Sequence, residues 1–124
     1  GQLLLDQFTK AARKAEACQV YRDCSTADKA FKAEPAVLLK IGSWLNETRE
    51  HQEAIGAYKR LIKTQPDSPL VPKAYFQAAR VLHSGLQQTP QAQKIIQGLI
   101  RKFPDHDIVP FARDFMKQLK KTAG

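Results

Sequence analysis

The residues of this chain that could do chemistry are three histidines, two cysteines and one acidic cluster, and their spacing limits what they can do. His51, His83 and His106 are dispersed. No His-Glu-x-x-His and no paired Cys-x-x-Cys occurs, so the zinc motifs are missing. Asp105-His106-Asp107 sets two carboxylates beside an imidazole, the ingredients of acid–base catalysis. The triplet follows Pro104 at a helix stop, however, where an aspartate most often caps a helix. Cys18 and Cys24 lie six residues apart. Six residues of helix rise ~9 Å, beyond the ~7 Å Cα limit of a disulfide. A helix through both therefore leaves two separate thiols. The six glycines are isolated and form neither a Gly-x-Ser-x-Gly elbow nor a phosphate loop. No nucleophile, base and orienting group can be assembled. The expectation is no catalysis, no metal and no cofactor, which leaves binding.

Binding residues need elements to position them. The segment from residue 3 to about 24 carries Leu4, Phe8, Ala11, Ala15 and Cys18 at helical spacing, with no Gly or Pro inside. It reads as one helix, or as two with a tight turn near Arg13-Lys14. Ser25, Thr26 and Asp28 suit a cap or loop leading to Phe31. A helix then opens at Glu34-Pro35, with Leu38, Ile41 and Leu45 as its apolar stripe. Gly42 lies in the middle of that helix, where glycine costs ~1 kcal/mol relative to alanine. Close approach of a neighbouring helix is the usual compensation.

The next helix, His51 to Thr64, carries Ala54, Tyr58 and Leu61 four and then three residues apart, on one face. Pro66-Asp67 stops it, and Asp67 or Ser68 is placed to cap the following helix. Pro72 starts that helix and Gly85 ends it. Thr89-Pro90 opens another, with Thr89 as the expected cap. A last helix runs from about Val109 to Lys120. Nothing alternates as a strand should.

The chain repeats itself. Ala92, Leu99, Ile100, Pro104 and Asp105 echo Ala54, Leu61, Ile62, Pro66 and Asp67 at a constant offset of 38 residues. Val109, Pro110 and Ala112 echo Val71, Pro72 and Ala74 at the same offset. A period in this range means stacked supersecondary units. The predicted fold is all-α, an antiparallel helix-pair solenoid. It has about two repeats, a capping helix and an N-terminal helical segment. Residues 1–34 form that segment and residues 35–124 the repeats with their cap. Ala17, Tyr21 and Cys24 share the Ala54, Tyr58, Leu61 spacing, so residues 1–34 read as a degenerate repeat.

These residues resemble the tetratricopeptide repeat. Ile41-Gly42 matches the aliphatic-then-small pair of the family's first helix. Ala54, Tyr58, Leu61 and Pro66 match its second helix and closing proline. The second copy offers Tyr75, Ala78-Ala79, Ala92, Ile96, Leu99 and Pro104. It carries the extra residues Pro-Leu-Val-Pro at its start and lacks the second-helix aromatic. Pro66 to Ala74 resembles a bacterial cell-envelope subgroup, which includes the repeat lipoprotein of the outer-membrane protein assembly machine. The resemblance implies a non-catalytic scaffold that binds a partner protein or peptide in a concave groove lined by the first helix of each pair. Carried over by position, the partner-binding residues are Leu39, Ser43 and Asn46, with Glu47 beside them, then Lys73, Phe76, Arg80 and His83, then Phe111 with Asp114 and Gln118. Lys73, Arg80 and His83 share a face with Phe76 between them. That set suits an acidic or carboxylate-terminated peptide with a hydrophobic side chain.

The formal net charge of +8 points the same way. It also keeps two alternatives in view. A general basic surface would bind nucleic acid or anionic membrane, with affinity falling steeply in salt and indifferent to sequence. The basic residues scatter over every segment, though, and cluster only at Lys117, Lys120 and Lys121. Self-association through the open ends of a short solenoid is the other alternative. Leu3-Leu4-Leu5 is too short for a signal-peptide core. The chain reads as a piece of a larger bacterial protein, with the cell envelope as the expected location.

Overall fold

The computed structural model describes residues 2–123, with side chains described for residues 10–121. Six α-helices follow one another: α1 (Gln2–Ala27), α2 (Pro35–Glu47), α3 (His51–Thr64), α4 (Val71–Ser84), α5 (Thr89–Lys102) and α6 (Val109–Ala123). No strand occurs among the described residues. Each helix packs on the next, from α1 on α2 through to α5 on α6. Short turns between packed neighbours make the pairs antiparallel. The architecture is the helix-pair solenoid that the repeat spacing predicts.

Proline sets the starts of α2, α4 and α5, where its missing N–H does no harm. The expected side-chain caps are absent there. Leu70 and Gln88 occupy the N-cap positions of α4 and α5, and neither makes a capping bond. Thr89 is already helical, and its Oγ1 lies 3.0 Å from His83 Nδ1. Ser68 Oγ accepts a hydrogen bond from the Leu70 N–H at 3.2 Å, shaping the turn before α4. The proline-opened turns have one fewer orphan donor to satisfy. Gly85 does follow α4, but its φ of −89° is right-handed, and the left-handed residue is Gln87, at φ 55°. Glycine at 85 answers a different need. A Cβ there would lie 2.7 Å from His51 Nδ1.

The core is made of small residues alternating with aliphatics. Leu38, Ile41 and Leu45 meet Ala54, Tyr58 and Leu61; Ala74, Ala78 and Ala79 continue toward Ala92, Ile96 and Leu99; Ala112, Met116 and Leu119 close the far end. Gly42 sits against the Tyr58 ring, which is the close approach expected of a mid-helix glycine.

α1 runs through Arg13-Lys14 without a break. Cys18 and Tyr21 are buried against the body. Arg22 holds the same stretch, with Nη2 2.6 Å from Glu50 Oε1 and Nε 2.5 Å from Glu53 Oε2. Those carboxylates stand at the start of α3, where the helix dipole favours negative charge. The linker to α2 is fastened by α3 as well. Arg60 Nη1 donates to the carbonyls of Lys29 and Phe31, and Gln65 Nε2 donates to that of Ala33.

Cys18 and Cys24 are both free thiols. Burial pushes the Cys18 thiol up, and the Arg22 charge opposes this. Cys24 is only half-buried. Alkylation of the native protein should therefore label Cys24 well before Cys18, because the exposed thiolate is the nucleophile. Peptide mapping by mass spectrometry after partial alkylation reads the order. Equal rates would mean that α1 is not packed as described.

Candidate partner-binding surface

The residues singled out for binding fall on α2, α4 and α6, and the structure brings several of them together. Leu39 and Ser43 of α2 and Lys73 of α4 line one recess of about 220 Å³. Lys40 and Gln77 complete its walls, and Tyr58 of α3 reaches it from below. Further along the same face, Phe76 of α4 meets Phe115 of α6 edge to face, with ring centroids 5.6 Å apart. The Arg80 guanidinium lies 6.0 Å from the Phe76 ring centre, and the His83 ring stands 6.0 Å from that of Phe115. Phe111, one turn before Phe115, is 66% exposed. Lys73 of the recess and Phe76 and Arg80 of the aromatic patch follow one another at helical spacing along α4.

Three expected residues have other work. Asn46 Oδ1 lies 2.7 Å from His51 Nδ1 and locks the turn between α2 and α3. His83 is half-buried, with Nδ1 on Thr89. Glu47 points away, toward α1, where Lys14 Nζ lies 3.5 Å from its carboxylate. Asp114 is exposed and makes no ion pair among the described residues.

Phe115, Lys40 and Gln77 were not expected here. A strict 38-residue offset makes Asp114 and Gln118 of α6 the counterparts of Phe76 and Arg80, and it does not select Phe115, whose ring reaches Phe76. The Phe111/Phe115 pair at i, i+4 is the sequence signal for it, since both share a helix face. Lys40 lies next to Leu39, and only the width of the recess brings it in.

A larger cleft, of about 580 Å³, lies between α1 and α2. It is lined by Ala11, Ala15, Cys18 and Trp44, with Lys14, Arg22, Glu47 and Glu50 at its rim. Lys14 and Arg22 are paired with carboxylates there. Lys10 also lines the cleft and makes no ion pair among the described residues.

Comparison with known families matches the tetratricopeptide repeat model twice, over residues 36–68 and 73–106. The chain belongs to the tetratricopeptide repeat family. Each matched tetratricopeptide repeat spans one helix pair, α2 with α3 and α4 with α5. The extra Pro-Leu-Val-Pro lies between the matches, and its Val71 and Pro72 form the buried first turn of α4. No curated protein matches the chain. Tetratricopeptide repeats generally bind protein partners and are typically non-catalytic scaffolds. Among the described residues no group of histidine, cysteine and carboxylate side chains is placed to hold a metal ion. His106 instead accepts the Ile108 N–H at 3.1 Å within its turn. No described helix is long and apolar enough to cross a membrane.

Proposed function

We propose that this protein is a non-catalytic scaffold that binds an acidic segment of a partner protein along the face shared by α2, α4 and α6. The observation that carries the reading is that α4 bears Lys73 of the cationic recess and, at helical spacing, Phe76 and Arg80 of the patch that Phe115 joins, with Phe111 exposed one turn before Phe115. Cations there would meet the acidic side chains, and the exposed ring of Phe111 would take an apolar one. Leu39, Ser43 and Asn46 form the α2 side of this surface, with Asn46 fixing the turn rather than touching the partner. His83 supports the Phe115 ring. Residues 1–34 act as a degenerate repeat that covers the N-terminal end. The resemblance of Pro66 to Ala74 to the envelope subgroup supports a place in a larger bacterial envelope protein.

The test uses degenerate peptides rich in Asp and Glu around one Phe or Leu, with a Lys/Arg-rich pool as the counterpart. Fluorescence anisotropy should show binding of the acidic pool alone. Lys73→Glu with Arg80→Glu should weaken it by about tenfold or more, roughly 1.4 kcal/mol. Both residues are exposed, so the fold should survive. Unchanged affinity at low salt would overturn the proposal.

A further inference from the structure

We infer that the recess between α2 and α4 receives a phosphorylated side chain of the partner segment, an inference that rests on the reading of the α2, α4 and α6 face as the binding surface. The lining decides the chemistry. Lys40 and Ser43 stand on the α2 wall, Lys73 and Gln77 on the α4 wall, and Tyr58 rises from α3. Leu39 is the one apolar member. Five of the six lining side chains can donate hydrogen bonds, and no Asp or Glu is among them. Neither lysine makes an ion pair among the described residues. Arg80 adds its field, drawing the Tyr58 hydroxyl's pKa down against the effect of burial.

A carboxylate brings one negative charge and two oxygens, too few for two ammonium groups, two hydroxyls and an amide arriving from three helices. A phosphomonoester brings a charge of about −1.5 to −2 and three acceptor oxygens, which suits donors on opposite walls. At about 220 Å³, the recess is many times the ~10–15 Å³ that a single water needs.

A second recess, also free of acids, differs in a way that sharpens the inference. It lies at Lys29, Gly56, Lys59, Arg60, Lys63 and Thr64. There the Thr64 hydroxyl donates to the Arg60 carbonyl, and the Arg60 guanidinium is taken by the linker carbonyls. Only loose lysines remain. That recess serves as a control for charge alone.

The experiment compares three degenerate peptide pools that differ only at the central position: phosphoserine, glutamate or serine. Each is titrated by anisotropy at one fixed ionic strength. The proteins are the wild type, Lys40→Glu with Lys73→Glu, and Lys59→Glu with Lys63→Glu. All four lysines are exposed, and circular dichroism verifies folding. The phosphoserine pool should bind at least tenfold more tightly than the glutamate pool. The first double variant should erase that preference, and the second should keep it. Equal affinity for phosphoserine and glutamate, still lost in Lys73→Glu with Arg80→Glu, would overturn the phosphate inference and leave the acidic-partner reading standing. A preference that survives Lys40→Glu with Lys73→Glu would place the phosphate elsewhere and overturn the inference too. Binding of none of the pools would overturn both.

Discussion

Gly42→Ala should lower the stability of this protein by about 1–3 kcal/mol, although alanine is the better helix former. The reason is one contact. A Cβ on residue 42 would lie 2.5 Å from both Cε1 and Cζ of Tyr58, and 3.0 Å from its Cδ1. Carbon atoms do not approach that closely, so one of the two helices must shift. The Tyr58 ring cannot swing aside, because it is 2% exposed and walled in by the core. Overpacking of this kind costs about 1–3 kcal/mol and outweighs the ~1 kcal/mol that alanine gains in an open helix. Gly56 and Gly98 supply the opposite case. A Cβ at either would meet nothing within 4 Å, so Gly56→Ala and Gly98→Ala should each stabilise by up to ~1 kcal/mol. Urea unfolding of the three variants tests the pattern. If Gly42→Ala stabilises as the other two do, the contact of α2 with the Tyr58 ring is not as described.

The contrast among these glycines also marks how far sequence reasoning reaches. The 38-residue echo and the Ala54, Tyr58, Leu61 spacing are properties of the chain as a string, and they carry the solenoid with its six helices. Gly42 could be flagged from its cost alone, since a mid-helix glycine without compensation is a loss. Its partner ring could not be named, because ring placement depends on how α3 lies across α2. The caps differ from expectation for a related reason. Ser68 and Thr89 have the right side chains for capping, but proline shifts the helix starts and frees both for other bonds.

The surface shows the same limit at finer scale. Leu39, Ser43 and Lys73 line one recess because α2 and α4 keep the family's register. Repetition does not select Phe115, because an offset returns equivalent positions and not the residue that packs across from Phe76. Nothing in the spacing points to Arg60 and Gln65. They bond to backbone carbonyls of the 28–34 linker, and backbone acceptors leave no trace in side-chain spacing. Arg22 differs in its partners, which are the side-chain carboxylates of Glu50 and Glu53, but these lie 28 and 31 residues away and no local spacing points to them.

Tyr58 leads to the second large effect, a loss of stability in alkali. Burial pushes its hydroxyl up to about 12 from an ordinary 10.0, while the Arg80 charge pulls weakly the other way. Tyrosine is neutral when protonated, and the folded state holds that proton more tightly than the unfolded chain does. Its contribution is therefore fully present below pH 10 and is lost as the pH rises from 10 toward 12. A shift of this size corresponds to roughly 2–3 kcal/mol, at 1.36 kcal/mol per pH unit. A comparison of two proteins cancels what the rest of the chain contributes in alkali. Tyr58→Phe keeps the ring against Gly42 and removes the titrating group. The stability difference between wild type and Tyr58→Phe, measured by urea unfolding, should be flat up to pH 10 and should then move by roughly 2–3 kcal/mol against the wild type by pH 12. Arg80→Ala should raise the Tyr58 midpoint further, because the cation that favours tyrosinate is gone. Near-ultraviolet titration reads that midpoint directly. A difference that stays flat across pH 10–12 would show that water reaches the hydroxyl freely, and that Tyr58 does not form the closed floor of the recess between α2 and α4.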